Sequence, residues 1–91
     1  MMTSTVVKKK GHEEKFSEAK LRRTVVNACA AAHMGRDACS QTAKKVVAEI
    51  KSWVMKEKAV TSDEIFRRAS KALKKHDKNA AYMYETHRDI C

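Results

Sequence analysis

The 91-residue chain has no proline and only two glycines. Little in it interrupts a helix, and the sequence favours long helical segments. No apolar run approaches the roughly 20 residues of a bilayer span, and no charged, apolar and small-residue leader opens the chain. A membrane role is therefore not expected, and the expected compartment is the cytoplasm. The three cysteines, Cys29, Cys39 and Cys91, are an odd number without a CxxC pair, which argues against a disulfide framework or a closed zinc site. Cys29 and His33 stand one helical turn apart, with Cys39 beyond the Gly35 turn, but zinc normally takes more ligands than this. The expectation is a buried thiol beside a solvated imidazole, and no metal.

Catalytic constellations are missing too. There is no GxxxxGK[ST] phosphate loop, no GxGxxG and no recognisable Ser or Cys nucleophile motif. Glu13 and Glu14 are neighbours in a candidate strand, so they point to opposite faces and cannot act on one bond together. The chain is not expected to be an enzyme.

What the chain does have is a hydrophobic content of 43% beside 34% charged residues, the balance of one globular domain with a modest core over residues 1–91. Residues 1–4 read as a disordered start. The net charge of +9 implies an anionic partner: nucleotide, nucleic acid or acidic protein. Lysines outnumber arginines 14 to 6 and fall in every segment, a pattern commoner for a solubilising surface than for a reading face.

The elements read as a β-hairpin followed by four helices: an α+β, mainly helical domain with a small sheet capping a four-helix bundle. Thr5 to Lys9 is rich in β-branched residues and predicts a strand. Gly11 supplies a turn, and Glu13 to Phe16 returns. A three-residue loop, Lys9-Lys10-Gly11, would set Val6 opposite Glu14 and Lys8 opposite His12, with Val6, Lys8, Glu14 and Phe16 on one face. Ser17 caps a first helix that buries Leu21, Val25, Ala28, Cys29 and Ala32 and ends at Gly35. Asp37 caps a second, burying Cys39, Ala43, Val46, Val47, Ile50 and either Trp53 or Val54. Ala59-Val60 could add a third edge strand. Thr61-Ser62-Asp63-Glu64 is a capping box opening a third helix with Ile65, Ala69, Ala72 and Leu73 inside. Asp77 or Asn79 caps the last, which carries Ala81, Tyr84, His87 or Arg88, and Ile90.

Binding chemistry concentrates at the hairpin and the first helical turn. Val6 and Phe16 offer flat apolar surface for an aromatic base, and Leu21 closes that surface from below. Glu14 can accept from an exocyclic amino group. Lys8, Lys9 and Lys20 supply charges for phosphates, joined by free backbone N–H groups at Ser17. Each alone is readily a core or surface residue; their convergence in one strand-turn-strand-helix unit favours a site.

The run Val6-x-Lys8-Lys9-x-Gly11-x-x-Glu14-x-Phe16-Ser17-x-x-Lys20-Leu21 resembles the opening signature of the ATP-cone domain, found in ribonucleotide reductases and in the bacterial repressor of their genes. The resemblance continues through Val60-Thr61-Ser62-Asp63-Glu64-Ile65 and on to Ala81-Tyr82 and Tyr84…Arg88-Asp89. It implies ATP or dATP bound as an effector and not as fuel. By position, Val6, Phe16 and Leu21 would line the base pocket and Glu14 would read the adenine amino group. Lys8, Lys9 and Lys20 would hold the phosphates, with Mg²⁺ as a possible companion, and Ser17 and Ser62 take the small hydroxyl positions. Lys9 and Lys10 stand where the family often has Arg and Asp, replacing a planar fork by point charges. Phe66 stands where some members carry a polar phosphate ligand. With no reductase domain following and no zinc ribbon preceding, the chain reads as a free-standing cone or a piece of something longer.

The leading expectation is a regulatory adenine-nucleotide module that switches association with itself or with a reductase-related partner. Two alternatives stand beside it. One is a small basic DNA-binding transcriptional regulator, with nucleotide-gated DNA binding as its combined form, although Arg22-Arg23, Lys44-Lys45 and Arg67-Arg68 fall on different helices. The other is a protein-interaction module without a ligand.

Overall fold

The computed structural model describes residues 6–9 and 11–86, the side chains of Val6 and Lys9 excepted. Two strands, β1 (Val6–Lys9) and β2 (His12–Lys15), lead into α1 (Glu18–Ala31) and α2 (Arg36–Val54). A third strand, β3 (Ala59–Thr61), is followed by α3 (Ser62–His76) and α4 (Lys78–Thr86). The sheet order is β2-β1-β3, with β1 antiparallel to β2 and parallel to β3. Ala59-Val60 thus joins the hairpin as an edge strand, as its sequence suggested. Residues 1–4 and the expected inner positions His87, Arg88 and Ile90 lie outside the described residues.

Helix α1 packs on α2 and α4, and α3 packs on the same two neighbours. The apolar stripes meet in one core whose largest fully buried side chains are Val25, Cys29, Val46, Ile50, Val54 and Leu73. Of the pair left open at the end of α2, Val54 is the buried one, while Trp53 lies half-buried under the Arg68 guanidinium.

The hairpin register differs from the expectation. The loop has two residues, Lys10-Gly11, and Gly11 takes the left-handed conformation at φ 79°. Lys9 pairs with His12, Lys8 with Glu13, Val7 with Glu14 and Val6 with Lys15. Val7, not Val6, therefore stands opposite Glu14, and Lys8 falls on the other face. The cause is the third strand. Val7 is in register with Val60, and both are buried, at 6% and 3% exposure. Packing Val7 beside Val60 against the helices decides which face of β1 turns inward, because a one-residue slip of β1 there would carry Val7 into solvent.

The helix ends also carry one correction. Gly35 does not terminate α1; His33 does, at φ 66°. The Met34 N–H donates to the Cys29 carbonyl (3.1 Å) and the His33 N–H to the Ala30 carbonyl (3.0 Å), the paired bonds of a Schellman motif with histidine in glycine's usual place. Gly35 is instead the N-cap of α2, with no side-chain bond, and Asp37 sits inside the first turn without capping it. At α3 the expected box is complete. The Thr61 N–H donates to Glu64 Oε1 (2.9 Å) and the Glu64 N–H to Thr61 Oγ1 (3.0 Å). Asp77 joins two helices: its N–H closes α3 on the Leu73 carbonyl, and its carboxylate accepts from the Ala80 N–H to start α4.

Candidate functional site

Two of these helices begin beside the sheet. Ser17 precedes α1, and its Oγ accepts from the Lys20 N–H at 3.1 Å. Ser62 opens α3 directly after β3. Both residues border one open pocket between the hairpin, α1, α3 and α4, with a cavity volume of about 170 Å³. Because the helix macrodipole and the unpaired first-turn N–H groups make each N-terminus attractive to anions, two such ends at one cavity favour an anionic ligand.

The walls are mostly apolar. Val7 and Phe16 come from the hairpin and its exit, Leu21 from α1, Ile65 and Phe66 from α3, and Tyr84 from α4. Phe66 and Tyr84 stack with ring centroids 5.2 Å apart and planes 14° from parallel, so α3 and α4 meet the pocket as one flat aromatic unit. Polar groups are few: Glu14, Lys15, Ser17, Lys20, Thr24 and Ser62. Thr24 spends its hydroxyl proton on the Leu21 carbonyl (2.8 Å).

Charge enters on one side only. Glu14 Oε1 accepts from Lys20 Nζ at 3.3 Å, and its Oε2 lies 3.7 Å from His12 Nε2. Strand β2 supplies the carboxylate and the first turn of α1 supplies the ammonium, six residues apart along the chain. Side chains of Glu14 and Lys20 are 41% and 47% exposed, so this pair is solvated and its rupture costs about 1 kcal/mol or less. A ligand carrying both a hydrogen-bond donor and negative charge can take over both ends.

Of the residues singled out from sequence, Glu14, Phe16, Ser17, Lys20, Leu21 and Ser62 all line this pocket. Lys8 does not; it is exposed and paired opposite Glu13. The roles expected of the Val6 and Lys9 side chains fall outside the described residues. Sequence reasoning passed over Val7, Lys15, Thr24, Ile65 and Tyr84 as pocket residues. Val7 was accessible by counting Lys10-Gly11 as a two-residue loop, whereas Tyr84 had no local signal, because only the packing of α4 on α3 brings it there.

Cys29 and Cys39 lie elsewhere. Cys29 is fully buried, His33 is exposed, and Cys39 Sγ donates to the Met34 carbonyl at 3.5 Å. Burial, with Cys39 beside it, pushes the Cys29 thiol up from 9.0 to about 11. It stays protonated and inert at neutral pH.

The chain matches the ATP cone domain over residues 4–89. Comparisons with curated proteins and with solved structures return no significant match. No helix among the described residues is long and apolar enough to cross a membrane. With the match spanning nearly the whole sequence, the chain belongs to the ATP cone domain family, whose members are nucleotide-binding regulatory modules.

Proposed function

We propose that this chain senses adenine nucleotide, ATP or dATP, in the pocket between the hairpin and the N-termini of α1 and α3. The observation that carries the reading is the pocket's composition: flat apolar walls, a single carboxylate, and two helix N-termini with Lys20 beside them. The base lies against Phe16, Leu21 and Val7. Glu14 accepts from its exocyclic amino group, which favours adenine over a base presenting a carbonyl there. Lys20, the backbone at Ser17 and the start of α3 at Ser62 receive the phosphates. Lys8, on the opposite face, plays a lesser part than its position in the family signature implies. Among the described residues Glu14 is the only carboxylate lining the pocket, so any Mg²⁺ arrives held by the phosphates and water, as is common for this ion.

Nucleotide acts as a signal. By bridging β2 to α1 and α3 it ties the sheet, as a cap, to the helical bundle. The tied state presents an association surface to a second copy or to a reductase-related partner. Calorimetric titration with ATP, dATP and GTP, each with and without Mg²⁺, tests the reading. Binding of ATP or dATP well below ~100 μM, about −5.5 kcal/mol, with GTP much weaker, is the expected result. Absence of adenine-nucleotide binding at that concentration sinks it.

A further inference from the structure

The acidic side chains of this chain are largely engaged. Glu14 faces Lys20 and His12, Glu18 faces Lys51, Glu49 faces Lys75 and Asp63 faces Arg67, while Glu64 and Asp77 cap helices. The remaining positive charge is not evenly spread. Both acids of α3, Asp63 and Glu64, are in its first turn; beyond them its exposed face runs Arg67, Arg68, Lys71, Lys74 and Lys75 without a carboxylate.

Helix α2 extends this surface. The Arg68 guanidinium lies 4.2 Å from the centre of the Trp53 ring, and Lys75 Nζ is 3.4 Å from Glu49 Oε2. These two contacts fix α2 antiparallel to α3. Lys45, exposed one turn before Glu49 on the same side of α2, continues the surface about 6 Å further toward the C-terminal end of α3. Arg68, Lys71 and Lys75, at i, i+3 and i+7, stack along one stripe over about 10 Å. Among the described residues, Arg68, Lys71, Lys74 and Lys45 make no ion pair. The helix dipole accounts for cations in the last turn of α3, but it fades within that turn. It explains neither Arg68 and Lys71 nor the mid-helix Lys45.

We propose that the α2–α3 face is a docking surface for the phosphate backbone of duplex DNA, with Arg68, Lys71, Lys74 and Lys45 as its phosphate contacts. A single strand would want an aromatic platform for its bases. The one ring on this face, Trp53, is half-buried and covered by Arg68. A membrane-surface helix would pair its lysines with an adjacent apolar stripe left in solvent, whereas the apolar side of α3 is turned into the core. No contact to base edges is implied, so binding is indifferent to sequence. None of these residues lines the nucleotide pocket, and the inference stands independently of the nucleotide reading.

The test is fluorescence anisotropy of the whole chain with a labelled duplex of about 20 base pairs between 50 and 200 mM KCl. Four phosphate contacts give a log K against log salt slope of about −3.6, or about 150-fold weaker binding across that range. Lys71→Ala with Lys74→Ala should reduce the slope by about 1.8, and Lys45→Ala, on the other helix, by about 0.9. The charge-matched pair Arg22→Ala with Arg23→Ala on α1 should leave it unchanged. A flat salt dependence, or an equal effect of the α1 pair, overturns the proposal in favour of diffuse net charge. Tighter binding to the single strand, or equal binding to vesicles of acidic phospholipid, overturns it in favour of another partner. Circular dichroism checks the fold of each variant, and Lys45→Ala decides the matter should the α3 pair unfold.

Discussion

Lys20→Ala separates affinity from stability at the pocket. Its ammonium pairs with Glu14 at 3.3 Å, and both partners are nearly half exposed. Removing it should cost the free chain about 0.5 kcal/mol or less. The Ser17 cap survives, because the cap uses the Lys20 backbone N–H and not its ammonium. For a domain of this size that is a melting shift of about 2–4 °C at most. On the proposed reading the same ammonium makes a charge-assisted bond to phosphate, worth about 1.5–3 kcal/mol, so affinity should fall roughly 10- to 150-fold. Paired thermal melts read both effects. Ligand at 100 times its dissociation constant stabilises wild type by about 2.7 kcal/mol, an upward shift of about 11–22 °C. The variant should lose most of that shift while melting near wild type when free. An ATP-induced shift in Lys20→Ala equal to that of wild type would refute the assignment of phosphate to the α1 N-terminus. An equal shift given by inorganic tripolyphosphate, which lacks the base, would refute the assignment of the base to Phe16 and Glu14.

Three further outcomes rest on the same geometry. Thr61→Ala removes the hydroxyl half of the capping box and should cost about 1 kcal/mol by urea denaturation; it should also weaken nucleotide binding, since α3 begins at the pocket. His33→Gly relieves a left-handed histidine in the α1–α2 turn and should stabilise by up to about 1 kcal/mol, raising the melting temperature without altering affinity. Cys29 links stability to alkaline pH. Its folded-state pKa of about 11 lies above the ordinary 9.0, so its contribution is complete below pH 9 and lost as pH rises toward 11. Denaturation midpoints from pH 7 to 11 should fall more steeply for wild type than for Cys29→Ser, and parallel curves would show that burial does not hold the thiol protonated.

Most of the helical architecture was legible because its signals are local. Apolar spacing on α1 and α2, the Thr61–Glu64 box and the Asp77 cap each need only a few neighbouring residues, and each appears in place. The hairpin register was not local. Val6 and Val7 are equivalent β-formers, and turn chemistry at Lys9-Lys10-Gly11 tolerates either loop length. The deciding contact is with Val60, more than fifty residues away, in a strand too short to be assigned with certainty from its own sequence. Gly35 misled for a related reason: glycine is the commonest left-handed helix stop, but the hydrogen bonds of Met34 and His33 close α1 two residues earlier. The pocket residues on α1 were legible through the Ser17 cap. Those on α4 were not, because Tyr84 reaches the site only by packing against Phe66.

The sheet's attachment explains how a small ligand could act as a signal in so small a domain. Strand β2 is exposed along its length and packs mainly on β1, whereas β1 and β3 rest on α3 through Val7 and Val60. In the free chain the tie from β2 to α1 that the ion pairs provide is Glu14 to Lys20, a solvated contact worth at most about 1 kcal/mol. A nucleotide in the pocket would replace that pair with contacts to Glu14 on one side and to the starts of α1 and α3 on the other. Switching requires that this gain differ between the tied and loose arrangements, since a ligand that binds both equally shifts nothing. A tenfold preference moves the balance by about 1.4 kcal/mol, more than the ion pair it replaces supplies. The proposed reading therefore requires the Glu14–Lys20 contact to be weak: a strong apo tie would hold the hairpin in place and leave the nucleotide nothing to report.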